Sequence, residues 1–209
     1  MEHHGPSEVE LSLESDHLDQ GFPGRVEATV RFRVAPGELT IEASASTDAP
    51  TIVAMTSHPY WNLSGRPSNI DDHHLGVEAS HVLEVGDGLI PTGRMEPLDR
   101  RFDGRALGGV PWDHCLVLDC SGGSGTPAAV LSEPRSGRRM ELFTSSPGIQ
   151  LYTADSLGPP FESRAGVCLE AQLLPDAIHH PEWPDTSPVL SPGERSTWRI
   201  RHRFDVMAR

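Results

Sequence analysis

The sequence contains no lysine, and all seventeen of its basic residues are arginines. Schiff-base chemistry and lysine-based phosphate binding are therefore excluded. The 30 acidic residues outnumber the arginines and give a formal net charge of −13. Because binding to a nucleic-acid backbone or to an anionic membrane surface requires a basic face, we expect neither partner. Neutral small molecules remain possible ligands.

Cysteine is scarce, with Cys115, Cys120 and Cys168 as its three occurrences. An odd number at these spacings fits neither a disulfide framework nor a structural zinc site, and it is typical of a reducing compartment. No apolar run approaches the roughly 20 residues that span a bilayer. The first five residues show neither the basic nor the apolar region of a signal peptide. We therefore expect a cytoplasmic protein.

Glycine and proline are abundant, with 20 and 19 residues, which favours many turns and argues against a helical bundle. Apolar and polar residues alternate with a period of two in residues 9–15, 25–34 and 38–45, as in strands with one wet face. Further strands are predicted at residues 51–55, 75–79, 81–85, 115–118, 128–132, 139–144, 149–153, 166–170 and 196–204. We therefore predict an all-β protein, a large antiparallel β-sandwich, folded as a single domain over residues 1–209.

Two distant segments carry side chains suited to proton transfer. Residues 56–65 place the imidazole of His58 among aromatic and amide side chains, between a strand-like segment and a glycine turn. Residues 168–172 place Glu170 and Gln172 on one face of a predicted strand. A carboxylate base and an imidazole acid that meet across a polar ligand are sufficient for acid–base catalysis.

Other candidate sites are weaker. Asp71-Asp72-His73-His74 contains metal-ligand residue types, but adjacent ligands on a loop more often form a solvated turn. His179 and His180 lie in a proline-rich loop. No nucleophile elbow, P-loop or dinucleotide-binding fingerprint occurs in the sequence. We therefore expect neither a metal nor a cofactor.

A series of short motifs identifies a known family. The motifs, in order, are Gly21-Phe22-Pro23-Gly24, residues 58–65, Leu89-Ile90-Pro91-Thr92-Gly93, Trp112-Asp113-His114, residues 136–140, residues 147–153, Leu169-Glu170-Ala171-Gln172 and residues 190–194. Through these motifs the chain resembles the C-terminal two thirds of the aldose 1-epimerase (galactose mutarotase) family, from about Val9 to Phe204. The resemblance implies a galactose mutarotase-like supersandwich that binds free aldohexoses in a shallow cleft, as a monomer or homodimer.

The resemblance also implies roles for individual residues. Glu170 would be the base at the C1 hydroxyl, and His58 would protonate the ring oxygen. Asp113 and Gln150 would bind sugar hydroxyls. From the residues alone, a histidine such as His58 is more often a core or edge residue than a site residue, and Glu170 is more often on a solvated strand face. Likewise, Asp113 fits a turn cap and Gln150 fits a backbone contact. Within the motif of residues 58–65, Tyr60, Trp61 and Asn62 are interpreted as packing residues behind the site.

Some family features have no counterpart in this sequence. The Leu-His-Gly-Gly motif and the upstream arginine of the family's N-terminal part are missing, Ser57 replaces an asparagine, and Ala171 replaces a threonine. We therefore expect an N-terminally truncated sandwich. A truncated gene or misassigned start is the favoured explanation, and completion by a partner or a sugar-binding remnant are the others. Two alternative functions stay open: a non-catalytic carbohydrate-binding pseudoenzyme, or a relative of hexose-6-phosphate 1-epimerases.

Overall fold

The computed structural model describes residues 2–98, 102–119, 125–183 and 187–207. For residues 2–4 it describes the backbone alone. Within these ranges, almost all regular structure is β. The strands are β1 Glu2–Gly5, β2 Glu8–Ser15, β3 Val26–Ala35, β4 Glu38–Thr47, β5 Thr51–Ile52, β6 His74–Val77, β7 Ala79–Val85, β8 Pro91–Pro97, β9 Asp103–Ala106, β10 Asp113–Leu118, β11 Ala129–Glu133, β12 Arg138–Thr144, β13 Gly148–Tyr152, β14 Cys168–Gln172, β15 Val189–Leu190 and β16 Ser196–Val206. Short 3-10 segments span Asp19–Gly21, Asp87–Leu89 and Ala177–His179.

These strands form two large antiparallel sheets and one small one. The larger sheet has nine strands in the order β1-β2-β3-β4-β16-β12-β11-β6-β9. A five-stranded sheet has the order β14-β13-β10-β7-β8, and β5 pairs with β15. A hydrogen bond joins the two large sheets directly, because Trp198 Nε1 on β16 donates to the Ala171 carbonyl on β14 at 2.7 Å. The fold is thus the antiparallel sandwich that the sequence predicts.

The core lies between the two large sheets. Alternate residues of the central strands meet there, and each is at most 1% exposed: Leu116, Ile149, Leu151, Leu169, Ala171, Leu131, Met140, Leu142 and Ile200. Full burial of a leucine or isoleucine side chain contributes roughly 1.5–3 kcal/mol. Because side chains alternate across a strand, this packing turns the intervening residues of β10, β13 and β14 to the opposite face of the five-stranded sheet.

The apolar face of the nine-stranded sheet extends beyond the five-stranded sheet. One row of paired residues runs from Trp198 through Ala43 and Val30 to Leu11. Exposure along this row rises from 9% at Trp198 and 6% at Ala43 to 37% at Leu11. Leu13 on the same face of β2 is 68% exposed. Among the described residues, the outer strands of this sheet therefore present apolar side chains to solvent.

The alternating pattern predicted β2, β3, β4 and β16 correctly, because apolar and polar residues alternate between the two faces of these long strands. The strand predicted at residues 51–55 is regular only at Thr51–Ile52, and the one predicted at 166–170 lies two residues later. β8 and β9 were not predicted, because they are edge strands rich in charge and glycine. Cys120 and residues 121–124 lie outside the described residues. No helix in the described ranges is long and apolar enough to cross a membrane.

Candidate active site

Residues 53–61 form an extended segment along the edge of β14. Thr56 Oγ1 donates to the Ala171 carbonyl at 3.1 Å. Trp61 and Val167 exchange two backbone hydrogen bonds of 2.9 Å in an antiparallel bridge. Pro59 favours extended backbone at the residue before it, which is His58. These anchors place His58 beside the middle of β14.

The other three predicted site residues lie on the outward face of the five-stranded sheet. Gln150 on β13 pairs directly with Glu170 on β14, and Cys115 on β10 pairs with Gln150. Two residues earlier on β10, Asp113 lies on the same face. Directly paired residues in antiparallel strands share a face of the sheet. The strand register therefore collects Asp113, Gln150 and Glu170 into one patch.

Hydrogen-bond and ion-pair distances connect the four residues in two pairs. His58 Nε2 lies 3.4 Å from Glu170 Oε1. Gln150 Nε2 donates to Asp113 Oδ1 at 2.8 Å. The imidazole of His58 is 46% exposed, whereas the carboxylate side chain of Glu170 is 10% exposed. The structure thus joins a solvent-accessible imidazole to a largely buried carboxylate, with a second polar pair beside them.

The surroundings of Glu170 make it a stronger base than an ordinary carboxylate. Burial raises the pKa of Glu170, and the nearby Asp113 raises it further, while His58 opposes the shift. Removing a carboxylate from water disfavours its charged form, and this is the largest of the three effects. A higher pKa strengthens proton abstraction near neutral pH.

The two cysteines on this face are not suited to nucleophilic catalysis. Cys115 and Cys168 are free thiols and are 2% and 0% exposed. Burial raises the pKa of each to about 12. Because the thiolate is the nucleophilic form, both side chains act as neutral packing groups beside Glu170.

Two tyrosine rings border His58. Tyr60 stacks on the imidazole with centroids 5.0 Å apart and an interplanar angle of 27°. The ring of Tyr152 lies at 80° to the same imidazole, with centroids 6.4 Å apart. Because Tyr60 is 46% exposed, its ring forms part of the site surface as well as packing on His58. The sequence did contain a signal for this role of Tyr60. It lies two residues after His58, and residues two apart in an extended segment share a face.

The neighbours Trp61 and Asn62 point away from the site surface, as the sequence interpretation expected. Trp61 packs on His202 and Phe204 with centroid distances of 5.0 and 5.7 Å. The amide of Asn62 donates to the Ser68 and Ala165 carbonyls at 2.7 and 2.9 Å. These contacts hold the end of the His58 segment in place.

The interpretation of residues 71–74 as a solvated turn is wrong for His73. This side chain is 1% exposed, and its Nε2 accepts the Leu63 amide at 2.9 Å. Asp71 pairs with Arg164 at 2.7 Å, and Asp72 pairs with Arg135 at 3.3 Å. Across the described parts of the chain, no group of three or more histidine, cysteine or acidic side chains is placed to hold a metal ion.

Comparison with known proteins shows the family of this chain. The family model for aldose 1-epimerase matches residues 1–203. The chain is 31% identical to the aldose 1-epimerase of Escherichia coli strain K12, over 94% of this chain and 64% of that protein. It is 34% identical to the galactose mutarotase of Homo sapiens, over 95% of this chain and 63% of the relative.

Solved structures show the same architecture. The crystal structure of an aldose epimerase homologue from C. elegans matches with a TM-score of 0.87 and 27% identity, and covers 99% of this chain and 68% of that one. A galactose 1-epimerase from Lactobacillus acidophilus matches in fold with a TM-score of 0.82 and 22% identity, over 98% of this chain and 65% of that one. The chain spans just under two thirds of the length of the curated relatives that it matches. With a family match along nearly its whole length and a shared fold, this chain belongs to the aldose 1-epimerase family.

Proposed function

We propose that this chain interconverts the α and β anomers of a free aldohexose such as glucose or galactose. The observation that carries the proposal is the contact between His58 and Glu170, 3.4 Å apart on the open face of the five-stranded sheet. The two residues are 112 positions apart in sequence, and the anchoring of residues 56–61 to β14 brings them together. A basic carboxylate beside an accessible imidazole is the pair that ring opening requires.

The proposed reaction consists of two balanced proton transfers in each direction. Glu170 takes the proton of the C1 hydroxyl, the bond between C1 and the ring oxygen breaks, and His58 gives a proton to that oxygen. The resulting aldehyde rotates about its C1–C2 bond. On reclosure, the ring oxygen attacks the other face of C1, His58 recovers its proton, and Glu170 returns its proton to the C1 oxygen. Both residues end as they began, so the reaction consumes no cofactor.

Substrate binding is assigned to the polar pair and the tyrosines. Asp113 and Gln150 keep hydrogen-bonding capacity beyond their mutual bond, and they are proposed to bind sugar hydroxyls. The exposed ring of Tyr60 offers an apolar surface for a sugar ring. The free thiols of Cys115 and Cys168 support a cytoplasmic location. We propose a monomer or homodimer as the working form.

Anomer exchange measured by NMR tests the proposal. Fresh α-glucose and α-galactose are mixed with folded protein, and the exchange rate is compared with the spontaneous one. Glu170→Gln and His58→Asn are each expected to lower the catalysed rate by about 10²–10⁴-fold, as for removal of one acid or base. Glu78→Gln and His81→Asn are matched controls, because both residues are exposed outside the site. Unchanged exchange rates in the site variants contradict the proposed catalytic function. Saturable sugar binding without anomer exchange indicates a pseudoenzyme.

A further inference from the structure

Arg164 connects three loops, around residues 71, 108–110 and 155. Its Nε donates to Asp71 Oδ1 at 2.7 Å, and its Nη1 donates to Asp155 Oδ1 at 2.8 Å. The same guanidinium also donates to the carbonyls of Val110, at 3.3 Å, and of Gly108. Four of its five N–H groups are therefore used by protein acceptors. With its side chain only 11% exposed, Arg164 has little access to a ligand.

A chain of hydrogen bonds leads from Arg164 to the segment that carries Asp113. Asp155 accepts a hydrogen bond from the hydroxyl of Thr153. That hydroxyl accepts the backbone N–H of Trp112 at 2.8 Å, and the Thr153 N–H donates to the Trp112 carbonyl at 3.0 Å. Thr153 is 0% exposed. Since Trp112 immediately precedes Asp113, these bonds fix the backbone from which the Asp113 carboxylate projects.

The backbone at both ends of the loop of residues 154–164 is held in an unfavourable conformation. Arg164 has φ of 60° and Ala154 has φ of 58°, both in the left-handed region. The Arg164 N–H donates to the Ala154 carbonyl at 2.9 Å and closes the loop between them. A non-glycine residue in this region is strained and persists only where the surroundings determine it. The ion pairs of Arg164 supply such surroundings.

We propose that Arg164 is a positioning residue that acts through Asp113 and sets how tightly sugar hydroxyls are bound. The inference rests on the proposed function, because it takes the binding role of Asp113 from it. A planar guanidinium donates to several acceptors in fixed directions, whereas an ammonium is a single point charge. Lysine at position 164 would keep the charge and lose most of the geometry. The positioning function therefore belongs to arginine specifically.

A double-mutant cycle distinguishes positioning from general stabilisation. Arg164→Met is expected to raise KM for the hexose about tenfold, since a misplacement of about 1 Å in a binding group has effects of this size or larger. Its kcat is expected to change less than about threefold. Arg164→Lys is expected to restore little of the KM. In an Asp113→Ala background, Arg164→Met is expected to add less than about a twofold change, because the group it positions is already gone.

Arg139→Met is the matched control. Arg139 pairs with the buried Glu141 on the nine-stranded sheet, so its loss is expected to lower stability without changing KM. Circular dichroism confirms folding, and all kinetics are measured well below each Tm. If Arg164→Met does not fold, Asp155→Asn takes its place in the same cycle, because it breaks the next bond of the chain.

Every outcome of the cycle decides the proposal. Independent effects of Arg164→Met and Asp113→Ala on KM overturn it, and so does an unchanged KM in folded Arg164→Met. If the protein binds the sugar without anomer exchange, the cycle is run on Kd by NMR titration. A non-additive result then supports positioning while the proposed reaction fails. If the protein neither binds nor converts the sugar, both proposals fail.

Discussion

Glu170 is placed so that its chemistry and its contribution to stability oppose each other. The folded protein raises the pKa of this carboxyl above its ordinary value of 4.5, mainly by burial. The folded state therefore binds the proton more tightly than the unfolded state does. The stability linked to that proton is fully present below pH 4.5 and is lost as the pH rises through the folded pKa. At neutral pH, the ionised carboxylate thus costs stability while it provides the base.

Glu170→Gln is expected to raise the free energy of unfolding at neutral pH, because the amide avoids burial of a charge. The same variant is expected to lose anomer exchange. Urea unfolding from pH 4.5 to 7.5 should show the advantage of the variant growing with pH. A variant less stable than the parent at pH 7.5 contradicts the assignment of burial as the main cause. Glu78→Gln, an exposed substitution, serves as the control.

His202 opposes folding at acid pH. Its ring is 0% exposed, and neither ring nitrogen has a hydrogen-bond partner among the described residues. Burial lowers the pKa of His202 from 6.5 to about 4. Because the unfolded state binds the proton more tightly, stability is full above pH 6.5 and falls as the pH drops toward 4.

His202→Phe is expected to remove this pH dependence, since the His202 ring stacks on Phe204 and packs at a tilt against Trp61 in an apolar setting. The difference between variant and parent should grow by up to about 1.4 kcal/mol per pH unit between pH 6.5 and 4. Urea unfolding at half-unit steps measures it. Glu170 is present in both proteins, so its opposite effect on stability cancels when the unfolding free energy of the parent is subtracted from that of the variant. A constant difference across this range contradicts the prediction, and His81→Asn, exposed on β7, should leave the dependence unchanged.

At the scale of elements, the site depends on close contact between the His58 segment and the chain entering β14. A Cβ atom added at Gly166 would lie 2.9 Å from the Tyr60 Cβ and 3.2 Å from its carbonyl carbon. Backbone atoms cannot rotate away from such a clash as the end of a flexible side chain can. The segment must therefore move away from β14 if this position gains a side chain.

Gly166→Ala is expected to lower anomer exchange by about tenfold or more, because displacement of Tyr60 also moves the stacked His58 relative to Glu170. Gly158→Ala is the matched control, since a Cβ there meets no atom within 4 Å and the residue has no positive φ. Exchange rates of the two folded variants provide the measurement. Equal rates for both would show that the segment tolerates displacement.

The sequence predicts these elements unequally, and the reason is physical. In β3 and β4, apolar and polar residues alternate along most of the strand, so the apolar residues share one face. In contrast, β14 is buried on both faces, and all residues from 166 to 171 are buried, so burial there does not alternate with a period of two. The pairing of Thr56 with Ala171 joins residues 115 apart. The local sequence pattern carries no information about such a contact. The site residues are therefore predicted from family motifs and not from periodicity.

Arg164 illustrates the same limit at the candidate site. His58, Glu170, Asp113 and Gln150 lie in recognisable motifs, and the structure brings all four onto one face. Arg164 lies outside those motifs, and its acceptors come from loops around residues 71, 108–110 and 155. Only the folded chain brings these loops together.

At the scale of the whole molecule, one face of the nine-stranded sheet passes from a dry core to solvent. Ile41 on β4 is 4% exposed, whereas Leu13 on β2 is 68% exposed. Loss of buried apolar atoms costs transfer free energy and leaves a cavity, while loss of exposed atoms costs neither. Substitutions of similar size are therefore expected to have unequal effects along this face.

Ile41→Ala is expected to lower the free energy of unfolding by about 2–4 kcal/mol. Leu13→Ala is expected to change it by less than about 1 kcal/mol. Denaturant unfolding of both variants measures the two changes in unfolding free energy. The slopes of free energy against denaturant concentration are compared between the variants. A loss at Leu13 as large as that at Ile41 would show that the β2 face is covered in solution.

The exposed apolar face also affects how stability varies with temperature. The heat-capacity increment of unfolding arises mainly from apolar surface that becomes hydrated. Leu11, Leu13 and Val34 are already 37%, 68% and 56% exposed in the folded chain, so unfolding hydrates them little further. Each Å² of apolar surface that is already hydrated in the folded chain lowers the increment by about 0.45 cal/mol/K. The exposed face therefore flattens the stability curve slightly at both low and high temperature.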